Sequence, residues 1–383
     1  MELTKKRGFT TYGLEILVLL LTALVFSFAF PGFLSDRGFG AIAFFALIPL
    51  FAVIRHTSWK AICFYGFLFG FTFYTLFNYW LTTFHPLAIL IVPIIKGGEM
   101  VMLFPALKAV DRWFKRYGFL VQSIVWVAYS YLSQSWFAGY PYGTISSAVY
   151  EFLPFIQIAD FSGIWAITFI MILPQALLGR YVSDQWSGPR MAFVRFFKTY
   201  LVTILCYGAA MVFIFIYGFV TIHSWNREEP EQYWRVATVQ HNADSWKGGF
   251  ETYKRNFNNL RTMSLQALQG NPDMIIWSET AFVPSVYWHT TFKTDEATAD
   301  LVDEFVAFGK SLPIPLLTGN PEGVLDDESL PPLLPDGSWN RKDYNTVIMF
   351  EGGEIRETYR KQHLVPFTEH FPYEKELPWL YNL

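Results

Sequence analysis

Long runs of apolar residues dominate the first 223 positions, and no other property of the sequence limits its folding so severely. A helix needs about 20 mostly apolar residues to cross a bilayer, because its backbone hydrogen bonds must close within the segment where no water is available. Seven stretches qualify, roughly 11–31, 38–55, 60–83, 87–109, 118–136, 162–182 and 198–222. Over all 383 residues 52% are apolar and 16% charged, more apolar than an ordinary soluble domain. From about residue 224 the chain instead alternates apolar and charged positions, as a water-exposed α/β domain does. The expected organisation is a membrane domain over 1–223 and a second domain over 224–383, with the boundary near Ile222 to Glu231.

Basic residues fall into alternate loops. One set holds Lys5, Lys6, Arg7, Arg55, Lys60, Lys108, Arg112, Lys115, Arg116, Arg180, Arg190, Arg195 and Lys198, and the opposite set holds Arg37 alone. The positive-inside bias then sets the N-terminus in the cytoplasm. An odd number of crossings delivers everything after Ile222 to the far side, which in a double-membraned bacterium is the periplasm. The apolar run from Leu14 to Phe30 comes after basic residues as a secretion signal does, but no small-residue cleavage site comes after it, so an uncleaved first helix is expected. A net charge of -3 without a Lys/Arg block speaks against nucleic acid. Cys63 and Cys206 are too few for a disulfide framework or a zinc site and read as buried packing residues.

Two membrane segments depart from plain lipid-facing sequence. Lys96-Gly97-Gly98-Glu99 interrupts the fourth span with two opposite charges around a flexible pair. It reads either as a lipid or substrate contact or as an intramembrane ion pair at a helix break, since ions at that depth are costly. The loop from Trp136 to Asp160, with Gly139-Tyr140-Pro141-Tyr142-Gly143, has the aromatics and turn formers of an interfacial belt.

In the second half, Trp234–Gln240 reads as a strand and Phe250–Leu268 as an amphipathic helix. Asp273–Glu279 reads as a strand buried on both faces that delivers Glu279 at its C-terminal end. A helix from about Asp300 to Lys310 and a strand Pro315–Gly319 come next. Tyr344–Phe350 pairs with Glu354–Tyr359 through Glu351-Gly352-Gly353 and leads into Lys361. Alternating strands and helices of this kind aim polar groups from strand ends into one crevice. Singly, Glu279 and Lys361 are ordinary surface charges and His363 a turn residue; only their order along the chain gives them weight.

Trp277-Ser278-Glu279-Thr280-Ala281, Thr318-Gly319-Asn320 and Tyr359-Arg360-Lys361-Gln362-His363-Leu364 resemble the carbon-nitrogen hydrolase (nitrilase) superfamily, whose catalytic unit is Glu, Lys and Cys. With Gln157-Ile158-Ala159-Asp160, Gly163, and Leu364-Val365-Pro366-Phe367 before Glu369, all behind a multi-span membrane domain, the pattern resembles the apolipoprotein N-acyltransferases over essentially the whole chain. The resemblance implies a polytopic α-helical membrane domain plus an α/β domain of the nitrilase αββα sandwich type, incomplete at its C-terminus. It also implies Glu279 as general base, Lys361 as the cation that stabilises the tetrahedral intermediate, Glu369 as a second acidic residue beside the site, and Trp246 as an aromatic at the substrate entrance. Ser278 stands where the family commonly has proline and Thr368 where it has glycine.

A thiol attacks an ester well only as thiolate, which a desolvated carboxylate can generate, and a fixed ammonium stabilises the oxyanion that forms. The implied partners are a phospholipid acyl donor, a diacylated apolipoprotein acceptor and the membrane itself; no metal or organic cofactor is required. The family's cysteine is expected downstream of the lysine motif, and neither Cys63 nor Cys206 can replace it from within an apolar span. The chain is therefore expected to be a truncated form, to work with a second chain that carries the cysteine, or to be a degenerate, non-enzymatic lipid- or lipoprotein-binding protein. A membrane-tethered amidase is a further alternative.

Overall fold

Helices occupy every one of the seven apolar stretches. The computed structural model describes residues 8–83, 88–136, 139–187, 192–227, 232–243 and 248–364. Residues 228–231 at the expected boundary, and Lys5, Lys6, Arg7 and Arg190 of the basic set, lie outside the described residues. The chain separates into two units, Met1–Glu229 and Pro230–Leu383.

The first unit contains α1 (Phe9–Ser27), α2 (Ile48–His56), α3 (Ile62–Phe77), α4 (Ala88–Trp113), α5 (Gly118–Ser135), α6 (Leu153–Ile156), α7 (Ala159–Ser187), α8 (Phe193–Thr199) and α9 (Leu201–Arg227). Among the described residues α1, α4, α7 and α9 are long and apolar enough to cross a membrane. The second stretch breaks into a 3-10 turn, Gly40–Phe44, ahead of α2. Gln175 of α7 fits that break, its side chain accepting from the Leu47 amide at 2.8 Å and donating to the Ala43 carbonyl at 3.0 Å. Irregular backbone at such a depth needs partners of this kind, because lipid offers none.

Three expectations for the helical unit are corrected. The helix does not break at Gly97-Gly98, because α4 runs unbroken through both. Gly97 instead lets α4 approach α3: an added Cβ would lie 3.0 Å from the Phe67 ring and 3.2 Å from its carbonyl oxygen. Cys63 and Cys206 are exposed on α3 and α9 rather than buried. Hydrocarbon solvates apolar side chains as well as a protein interior does, so apolar character does not separate lipid-facing from packed positions. The stretch from Trp136 to Asp160 is not all belt. It forms a 3-10 turn, Ile145–Val149, and α6, with Ile145, Ala148, Val149 and Phe155 buried while Tyr142, Tyr150 and Phe152 stay exposed.

The Lys96–Glu99 pair faces the bundle interior. The Lys96 amine donates to Ser133 Oγ at 2.5 Å and to Glu99 at 3.2 Å, and Glu99 accepts from Tyr129 at 3.0 Å and Ser133 at 2.7 Å. These contacts staple α4 to α5.

The second unit is a mixed five-stranded sheet in the order β1 (Val236–Val239), β2 (Met274–Trp277), β3 (Leu316–Val324), β4 (Lys342–Glu351), β5 (Glu354–Arg360). β1, β2 and β3 run parallel, while β4 and β5 are antiparallel to their neighbours. α10 (Phe250–Ala267), the short α11 (Val286–Phe292) and α12 (Glu296–Ser311) form the connections. Ile275, Leu316 and Phe350 stand in one row across three strands and pack with Phe257, Leu260, Val302 and Phe305 of α10 and α12. The next residues along, Ile276, Leu317 and Met349, point to the other face and are only partly buried. β2 is therefore fully covered on one face, not both. Among the described residues one helical layer covers one sheet, and the opposite sheet face is open.

Candidate active site

The parallel strand β2 ends at Trp277, whose buried indole donates to Ser264 Oγ of α10 at 2.8 Å and ties the strand end to the helical layer. The chain must then turn sharply. Thr280 takes a left-handed conformation at φ 51°, so Glu279 sits at the tip of a tight turn above the open sheet face. β3 makes room for that turn with Gly319, where an added Cβ would lie 2.3 Å from the Thr280 nitrogen and 2.9 Å from Glu279 Cα. The next residue of β3 pins the segment that leaves the turn: buried Asn320 donates to the carbonyls of Phe282 and Pro284, both at 2.8 Å, and accepts from the Val286 amide at 3.0 Å. Thr318-Gly319-Asn320 is thus a cradle for the glutamate turn.

Lys361 arrives from the other side. β4 and β5 pair with Thr346 opposite Arg360, and the Lys361 amide donates to the Asn345 carbonyl at 2.8 Å, which carries the ladder one step further. Arg360 is clamped by Glu322 at 2.6 Å and stacks over the Tyr344 ring at 4.2 Å, fixing the residue before the lysine. The outcome is that Lys361 Nζ lies 3.1 Å from Glu279 Oε1, across 82 positions of sequence.

Asn345, to which sequence reasoning assigned no role, completes the group. Its side-chain amide donates to the same Glu279 oxygen at 2.6 Å. The turn alone does not reveal it: the register set at Glu351 opposite Glu354 shifts by one between Met349 and Phe350, and only that shift puts Thr346 opposite Arg360 and Asn345 beside Lys361. The three polar residues rim a hollow of about 260 Å³ whose floor is Ile276, Leu317, Val347 and Tyr359. An apolar floor beneath a carboxylate and an ammonium suits a substrate with a polar reacting group on an apolar body.

The dry setting expected for Glu279 is not present among the described residues. Its side chain is 63% exposed and that of Lys361 32%, because both lie on the uncovered sheet face. Trp246, Glu369 and the residues Val365, Pro366 and Phe367 lie outside the described residues.

Residues 22–177 match the family model of the apolipoprotein N-acyltransferase N-terminal domain. The chain is 33% identical to apolipoprotein N-acyltransferase 1 of Treponema denticola, over 98% of its own length and 70% of the relative's. It is 32% identical to apolipoprotein N-acyltransferase 1 of Treponema pallidum, over 96% of its own length and 68% of the relative's. With a membrane helical unit, an α/β unit and relatives matched along nearly its whole length, the chain belongs to the apolipoprotein N-acyltransferase family.

Proposed function

We propose that this chain supplies the membrane platform and the acid-base half of a thioester acyltransferase. Its donor is a phospholipid, and its acceptor is the α-amino group of a diacylglyceryl-cysteine at a lipoprotein N-terminus. The observation that carries the reading is the 3.1 Å approach of Lys361 Nζ to Glu279 Oε1 at the rim of an apolar hollow. In this reading Glu279 takes the proton of a cysteine thiol. The thiolate forms a C–S bond to the ester carbonyl, and Lys361 neutralises the oxyanion as it develops. Collapse breaks the ester C–O bond, and the departing lysophospholipid oxygen receives the proton held on Glu279. The acceptor amine then forms a C–N bond to the thioester carbon, the C–S bond breaks, and the amine proton returns through Glu279. Glu369 and Trp246 are assigned to the same site as a second acidic residue and an entrance aromatic.

In this reading the thiol is neither Cys63 nor Cys206, because each stands within an apolar stretch of the sequence. We assign it to polypeptide outside these residues, in continuing sequence or in a second chain. The helical unit is assigned to the bacterial inner membrane, multi-pass, with the α/β unit in the periplasm, on the distribution of Lys and Arg among the loops.

The test is acyl transfer from phospholipid to a diacylated lipopeptide, measured with residues 1–383 alone and together with polypeptide that carries the family's cysteine. The expected result is no turnover alone, turnover with the cysteine present, and its loss in Glu279→Gln and Lys361→Met. Turnover by residues 1–383 alone would refute the assignment of the thiol, and full activity of the Glu279→Gln protein would refute the role of the glutamate.

A further inference from the structure

One end of the helical unit carries a charged crevice that acyl transfer does not use. It is an open hollow of about 450 Å³ bounded by Arg55 and His56 at the end of α2, Asp111 and Arg112 near the end of α4, Lys115 in the turn beyond it, and Arg180 and Asp184 of α7. Its back wall is fixed by ion pairs. Arg55 bonds Asp111 at 2.5 Å and Asp184 at 3.1 Å, and Arg180 bonds Asp111 at 3.3 Å and the carbonyl of Lys115. Behind them the buried Lys108 donates to the carbonyls of Ile54 and Arg55 at 2.8 and 3.1 Å, satisfying the last turn of α2. His56 is engaged by Glu15 at 2.6 Å.

The balance of charges decides what the crevice can hold. Four Arg and Lys side chains face two carboxylates, and neither Arg112 nor Lys115 has a carboxylate partner among the described residues. The surplus is two positive charges at the mouth of a concave polar wall. Trp113 and Tyr117 beside it are exposed aromatics of the kind that sit at headgroup level. A basic hollow between membrane helices with an aromatic margin recognises a phosphate anchored at the bilayer surface.

We propose that this crevice is a phosphate site that takes the headgroup of an anionic phospholipid, with Arg112 and Lys115 contacting the anion and the Arg55–Asp111–Arg180 network holding the wall in shape. Basic loops are general at this end of membrane proteins, so a control must remove equal charge elsewhere on the same unit. Arg195 and Lys198 of α8 are exposed and line no part of the hollow.

The test uses the full chain in nanodiscs, with the thermal unfolding midpoint measured as phosphatidylglycerol replaces phosphatidylcholine. Each cation near an anionic surface contributes on the order of a few-fold in affinity, so Arg112→Gln with Lys115→Gln is expected to weaken the response by about tenfold or more. Arg195→Gln with Lys198→Gln, which removes the same charge outside the hollow, is expected to weaken it clearly less, by no more than the few-fold that any cation near the surface contributes, and added salt to weaken it in the wild type. The exposed positions of Arg112 and Lys115 predict an unchanged midpoint in phosphatidylcholine alone. Equal responses of the two double variants would overturn the site. Stabilisation by inorganic phosphate in phosphatidylcholine discs, with nothing added by phosphatidylglycerol, would overturn its assignment to a lipid.

Discussion

Glu279 and Lys361 are more exposed than a stabilising ion pair requires, and an exposed pair contributes little to folding. Their meeting therefore depends on the residues that force the backbone there. Gly319→Ala tests one of them: a Cβ 2.3 Å from the Thr280 nitrogen cannot be absorbed by a flexible side chain, so the glutamate turn must move. The expected cost is about 1–3 kcal/mol in denaturant unfolding, with acyl transfer lost more steeply than stability. Asn345→Ala tests the hydrogen bond to the charged carboxylate. Such bonds are worth about 1.5–3 kcal/mol, so in the acyl transfer proposed above kcat should fall roughly tenfold to a hundredfold with KM little changed. An unchanged kcat would mean that the 2.6 Å contact does not orient Glu279 for the proposed reaction.

Elements carry a different kind of constraint. α4 and α5 are joined at depth by Lys96, Glu99, Ser133 and Tyr129, a group whose members satisfy one another. Removing one partner of a buried pair leaves the other uncompensated, at roughly 3–5 kcal/mol, whereas replacing both by apolar residues is often close to neutral. Lys96→Met should therefore lower the unfolding midpoint in detergent sharply, and the Lys96→Met, Glu99→Leu double variant should recover most of the loss. A double variant as unstable as the single one would show that the pair does more than staple two helices. In the second unit the antiparallel pair β4–β5 matters most to the site, since its register alone sets Lys361 beside Asn345.

At the scale of the whole molecule, acidity separates two groups of titrating residues in the α/β unit. Burial lowers the pKa of His241, and burial with the nearby Arg341 lowers that of His289, against a smaller opposing effect of Asp295. A histidine with a depressed folded pKa binds fewer protons than in the unfolded chain, so its contribution is present above about 6.5 and is lost as pH falls below it. Asp295, Asp327 and Asp336 have lowered values through bonds to Thr298, Ser329 and Ser338, and what they contribute is lost only as pH falls below about 4. Unfolding monitored by tryptophan fluorescence of the full chain should thus show a first loss of stability as pH falls through about 6.5, reduced in His289→Gln. The same first loss in that variant would remove His289 from the account.

The apolar helices of the first unit and the strands of the second were legible in the sequence, because apolar run length and residue period result directly from backbone hydrogen bonding and side-chain alternation; Glu279 and Lys361 were singled out only by the resemblance to a family, since neither period nor run length marks them. Asn345 was not legible as a site residue, since its role exists only through the β4–β5 register. Nor did the sequence show that Gly97 serves close helix packing, that Gln175 satisfies a break 128 positions away, or that Cys63 and Cys206 face outward. Local sequence determines which segments form helices and strands through interactions a few residues long. Which polar group ends beside which is decided by contacts between distant segments, and those exist only once the elements are packed.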